Sequence, residues 1–167
     1  YHWNYYRNIF QYAREHGINF YAVNSPRDVV KSVRTKGFEN LTAEEAAHLP
    51  PKLDGNDDEH QRMYRAFFDK DDALHMSDSA LEGLYRAQTM WDATMGWNAL
   101  QALKQHGGPN AIIVVLIGAG HVTFGLGSER QIAAHYDGKI SSLVPLTVVD
   151  DDGEPVKTVR ASYASFV

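Results

Sequence analysis

Residues 111–121 read AIIVVLIGAGH. Seven apolar residues rich in Val and Ile run into Gly-Ala-Gly and end on His121. An unbroken β-branched run of that length is the pattern of a strand buried on both faces, as in a parallel sheet. The glycines give a turn in which backbone can come close to a ligand. The segment therefore predicts a strand whose C-terminal end delivers His121 to the rim of a sheet. The alternative for GAGH alone is a tight turn with a half-buried histidine bonded to backbone.

Upstream, residues 18–23, INFYAV, repeat the pattern and lead into NSPR. Two parallel strands would bring Asn24, Arg27 and His121 to one edge, where open α/β folds bind ligands. Helical spacing predicts helices at about 2–16, 26–36 and 58–69, with Met63, Ala66 and Phe67 on one face of the third. Ser25 is a candidate cap for the second helix, and Thr42 and Glu45 form a capping box over a short helix that ends at Pro50-Pro51. A long helix is expected from about Asp78 to the Gly107-Gly108-Pro109 stop, with Leu84, Trp91, Met95 and Leu103 as its apolar stripe. Ser128 is a candidate cap for a helix over SERQIAAHY, and KISSLVPLTVV and the tail read as further strands. This alternation predicts one α/β domain over residues 1–167: three layers, a mostly parallel sheet, and a helical lobe inserted at about 41–85.

Bulk properties narrow the chemistry. The chain has 167 residues, a net charge of −5 and no cysteine, so thiolate metal sites, disulfides and cysteine nucleophiles are excluded. The 16 basic residues are dispersed, which argues against nucleic acid as a partner. Neither an HExxH helix nor a G-x-S-x-G elbow occurs, so zinc-protease and α/β-hydrolase chemistry lack their motifs. Tyr85, Gln88, Asp92 and Met95 share one helix face, which puts polar groups beside an apolar stripe. They are either clamps on neighbouring backbone or ligand contacts. His75 and Met76 offer imidazole and thioether, both haem ligands in general, in a loop that reads first as solvated chain. His16, His106 and His135 fall late in their helices, where they complement the dipole.

Four separated stretches together resemble the ChaN family of haem-binding proteins, within the TIKI superfamily: residues 6–33 (YRNIFQYAREHGINFYAVNSPRDVVKSV), 37–51 (GFENLTAEEAAHLPP), 85–95 (YRAQTMWDATM) and 114–133 (VVLIGAGHVTFGLGSERQIA). The resemblance implies a bacterial, lipid-anchored cell-envelope protein of iron acquisition. It implies a homodimer enclosing two stacked haems, with iron on a tyrosine and a histidine of the partner subunit assisting. Tyr85, which opens YRAQ, is the tyrosine assigned to that role; Gly118, Gly120, Gln88 and His121 would complete the pocket. The family's opening strand with GE-x-H, and its later EMF, have no counterpart in these residues, so the lipid anchor and the N-terminal part are expected outside this chain. Superfamily relatives that are metal-dependent hydrolases pair that missing motif with a G-x-x-H, here Gly118 to His121. His121 is thus also a candidate divalent-metal ligand, and a ligand-free scaffold is the third reading.

Overall fold

A computed structural model describes residues 3–55, 57–68, 76–145 and 153–154. The regular elements are helices α1 (Trp3–Glu15), α2 (Arg27–Lys36), α3 (Ala43–Ala46), α4 (Asp58–Arg65), α5 (Asp78–His106) and α6 (Ser128–Ala133), with 3-10 turns at Phe38–Asn40, Ala119–His121 and Thr123–Gly125.

α5 is the axis of the fold. Its 29 residues span about 44 Å at the α-helical rise of roughly 1.5 Å per residue. Ser77 caps its first turn by accepting from the Ala80 N–H, and Lys104 and His106 oppose the dipole at its end. Between Tyr85 and Met95 almost every side chain is buried, because neighbours cover the helix on several sides.

α2 lies against one side of α5. Val29, Val30 and Val33 interlock with Ala87 and Met90, and Phe38, Leu41, Leu49 and Trp91 close the margin. Each large side chain buried there contributes on the order of 1.5–3 kcal/mol of apolar transfer. Gly83 permits the approach, since a Cβ at that position would stand 2.6 Å from the Arg34 carbonyl. One turn on, Arg86 donates to the Val33 and Arg34 carbonyls, closing the exposed end of α2. α6 packs on another side of α5, where a Cβ on Gly96 would meet Ile132 at 2.6 Å.

The capping box forms as expected: Thr42 Oγ1 accepts from Glu45 N–H, and Glu45 accepts from Thr42 N–H. Glu45 also takes the Ser32 hydroxyl and pairs with Lys36, tying α3 to α2. Two cap assignments differ from expectation. α2 begins after Pro26 with no side-chain cap, and Ser25 is buried with its hydroxyl unpartnered. Gly127, not Ser128, precedes α6.

The expected α/β architecture does not form. The described residues are mainly helical and contain no sheet; the only bridge residue among them is Leu143. Residues 111–118 have no regular structure, and no hydrogen bond joins the backbone of 112–117 to described residues. Exposure nevertheless alternates: Ile112, Val114 and Leu116 face out while Ile113, Val115 and Ile117 are half-buried. Residues 18–23 also lack regular structure and do not alternate: Ile18 to Ala22 are all exposed and only Val23 is half-buried. Apolar, β-branched composition favours an extended chain, but a strand exists only where a neighbouring backbone supplies the ladder. Residues 18–23 rest on helices instead: Val23 O accepts from Asn98 of α5, Tyr21 stacks on His106, and Phe10 of α1 stacks on Phe20. The second half of KISSLVPLTVV and the tail lie outside the described residues, as does His75. No described helix is long and apolar enough to cross a membrane.

Candidate functional site

The middle of α5 supplies the polar face predicted for it. Tyr85, Gln88, Asp92 and Met95 are all buried, at spacings of three and four residues that stack them on one side. Asp92 is the hub. Its carboxylate is 0% exposed, and no Lys or Arg among the described residues pairs with it. Instead two imidazoles flank it. His121 Nδ1 lies 2.6 Å from Oδ1, and His60 Nε2 lies 3.3 Å from Oδ2. The second pair is in charge contact but off a good hydrogen-bond line, and neither atom has another partner. The Ser128 hydroxyl, at the start of α6, donates to Oδ1 at 3.4 Å.

The hydrogens follow from the chemistry. A carboxylate only accepts, so Nδ1 of His121 carries a ring hydrogen, and in the neutral imidazole the lone pair is then on Nε2. The Gln88 amide nitrogen, Nε2, lies 2.9 Å from the same Nδ1. Two donors cannot bond each other, so a bond between them requires the carboxamide flipped, with Oε1 toward the ring. Nε2 of His121 has no partner among the described residues, and the side chain is 21% exposed.

The loop that presents His121 is a pair of 3-10 turns. His121 N–H bonds to the Gly118 carbonyl, Val122 N–H to Ala119, and the Thr123 hydroxyl to Ala119 as well. Phe124 holds a positive φ of 57°, an uncommon conformation for an aromatic residue. Gly127 allows the loop to close over α5: a Cβ there would stand 2.3 Å from the His121 carbonyl and 3.2 Å from Asp92 Oδ2. The edge of Trp91 faces the His121 ring at a centroid distance of 6.3 Å.

Comparison with protein families then decides the kinship. A family model described as haem-binding uptake, Tiki superfamily, ChaN matches residues 1–132. This chain belongs to the ChaN family of haem-binding uptake proteins. Searches of curated proteins and of solved structures gave no match.

For a ChaN-family chain the donor set fits a haem iron. An imidazole that gives its Nδ1 hydrogen to a buried carboxylate and keeps Nε2 free is the arrangement that orients a histidine ligand and raises its basicity. Tyr85, the tyrosine assigned from the resemblance, is only 4% exposed. Its hydroxyl lies 3.2 Å from His60 Nδ1 and 3.3 Å from the Asp57 carbonyl. Burial pushes its phenol pKa upward, against the opposing hydrogen bonds of Thr89 and Asp57, and so favours the neutral form.

Other candidates separate. Gln88, Gly118 and Gly120 lie with His121, the last beside Phe67. Asn24 and Arg27 are exposed and share no hydrogen bond with it; Asn24 Oδ1 accepts from Ser25 N–H. The common rim expected for Asn24 and His121 depended on a sheet that the described residues do not form. Met76 lies just before the α5 cap. Among the described residues no group of three His, Cys, Asp or Glu side chains is placed to hold a metal ion. His60, Asp92 and His121 are neighbours, but the carboxylate faces a nitrogen of each ring, which leaves no common vertex for a cation. An apolar cavity of about 680 Å³ lies nearby, between residues 111–117, 139–143 and Met95, Ala99 and Leu103 of α5. Ala119 and Val122 reach its wall; His121 does not.

His60 went unmarked in the sequence. The predicted α4 face of Met63, Ala66 and Phe67 is rotated: His60 is fully buried while Ala66 and Phe67 are exposed. Its position three residues before Met63 was the available signal, since that spacing shares a face.

Proposed function

We propose that this chain binds haem iron through Nε2 of His121, with Asp92 as the buried carboxylate behind the ring and Gln88 steadying it, and that it serves bacterial iron acquisition at the cell envelope. The observation that carries the reading is the 2.6 Å contact between His121 Nδ1 and the fully buried Asp92. That contact supports Nε2 as the nitrogen left for iron. When bound, haem would supply an iron centre that takes protein ligands and a broad apolar face. The chain's part is to present one oriented lone pair and an apolar surround, to which Trp91 and Phe67 contribute. Tyr85 then buttresses the site from beneath. A second donor would come from the partner subunit of a homodimer, the assembly the family resemblance implies.

Hemin titration followed at the Soret band tests this. The wild-type chain saturates at a defined stoichiometry, and His121→Ala binds at least about tenfold more weakly, with recovery on adding free imidazole. A featureless wild-type titration, or an unchanged His121→Ala, overturns the reading.

A further inference from the structure

We propose that His60 is a positioning residue of the site: from the core side it holds Asp92 in the orientation that presents Oδ1 to His121. The inference rests on the haem reading only for its second readout. His60 is 0% exposed and sits between two polar groups, the Tyr85 hydroxyl at Nδ1 and Asp92 Oδ2 at Nε2. A neutral imidazole has one donor and one acceptor nitrogen. One assignment points a donor at each oxygen of Asp92. Tyr85 has a single hydroxyl hydrogen; given to His60 Nδ1 rather than to the Asp57 carbonyl, which already accepts from Gln61 N–H, it leaves His60 Nε2–H facing Asp92 Oδ2 in charge contact short of a hydrogen bond, while His121 Nδ1–H donates to Oδ1. The opposite tautomer would set a lone pair of His60 against the carboxylate, deep in the core, at the cost of an unsatisfied buried charge.

Without His60 nothing described holds Oδ2. The Asp92 side chain then turns about its last torsion, a broad and soft one, and His121 loses the acceptor that fixes its tautomer. The groups that face His60 are Tyr85 and Asp92 of α5 and the Asp57 carboxylate, which accepts the His60 backbone N–H; Tyr64, one turn along α4, and the Asp57 carbonyl meet Tyr85. Gly127 closes the far side of Asp92 Oδ2 and brings only backbone.

The test compares side chains that reach different atoms. Gln at position 60 places an amide near Nε2 and can still meet Asp92; Asn stops near Nδ1 and cannot. In the full chain labelled with 15N-histidine, at a pH well above the ordinary imidazole value of about 6.5, long-range proton–nitrogen correlation reads each tautomer. The wild type shows His121 with hydrogen on Nδ1 and His60 with hydrogen on Nε2. His60→Gln keeps the His121 tautomer, whereas His60→Asn gives a mixture and weakens hemin binding about tenfold, the low end for outer partners of a metal ligand. Equal His121 spectra in His60→Gln and His60→Asn overturn the proposal. If neither variant folds, the wild-type spectrum decides alone, and any other pair of tautomers overturns it. A chain that shows these tautomers but takes up no hemin removes the haem reading and leaves the positioning role intact.

Discussion

Replacing Asp92 by Asn changes almost nothing in shape and nearly everything in hydrogen-bond logic. The carboxylate now accepts from His121 Nδ1 at 2.6 Å and faces His60 Nε2 at 3.3 Å. A carboxamide has one accepting oxygen and one donating NH2. If its oxygen faces His121, its NH2 confronts the donor of His60. If it is flipped, its NH2 confronts Nδ1 of His121, whose hydrogen must move to Nε2, the nitrogen assigned to iron. In the first arrangement a charge-assisted bond, worth about 1.5–3 kcal/mol, becomes a neutral one worth about 0.5–1.5 kcal/mol. The difference of roughly 1–2 kcal/mol corresponds to about a five- to thirtyfold weaker hold on hemin, at about 1.4 kcal/mol per factor of ten. The second arrangement abolishes binding. Stability moves little, by less than about 2 kcal/mol, because the variant also escapes the cost of burying an anion. Hemin titration with urea denaturation of the same preparations separates the effects. Wild-type hemin affinity in a folded Asp92→Asn chain would refute the reasoning.

Further outcomes follow from the packing. Gly127→Ala forces its Cβ against the His121 carbonyl, 2.3 Å away as the loop stands; it costs about 1–3 kcal/mol in urea melts and weakens hemin binding in parallel. Met90→Ala opens a cavity where α2 meets α5, at a residue 0% exposed, and costs about 2–5 kcal/mol with no change in the His121 tautomer of the molecules that remain folded. Glu45 is held down at about 2 by the Ser32 hydroxyl, the Thr42 backbone and Lys36, below its ordinary 4.5. Its contribution to stability is therefore complete above about pH 4.5 and disappears as pH falls toward 2. Wild type and Glu45→Gln should differ most near neutral pH and converge in acid.

Helices proved readable because their signals are local. The capping box at Thr42 and Glu45, the helix start near Asp78 and the stop at Gly107 each rest on bonds within a few residues. The polar face of α5 followed from spacing alone. The sheet failed for the opposite reason. AIIVVLIG and INFYAV carry composition that suits a strand, but a ladder is made with another segment, and the described residues offer none. With the sheet went the meeting of Asn24 and His121. The pairing of His121 with Asp92 spans 29 positions and that of His60 with Tyr85 spans 25. No periodicity joins residues so far apart; only the approach of the 119–127 loop and α4 to one face of α5 does.

The iron–imidazole bond is the point on which the account stands, and resonance Raman spectroscopy of the reduced, hemin-loaded full chain observes it directly. The account predicts an iron–imidazole stretching band that shifts with 15N-histidine labelling and is lost in His121→Ala. A spectrum with tyrosinate as the only protein ligand, or an iron–imidazole band that survives His121→Ala unchanged, would contradict it.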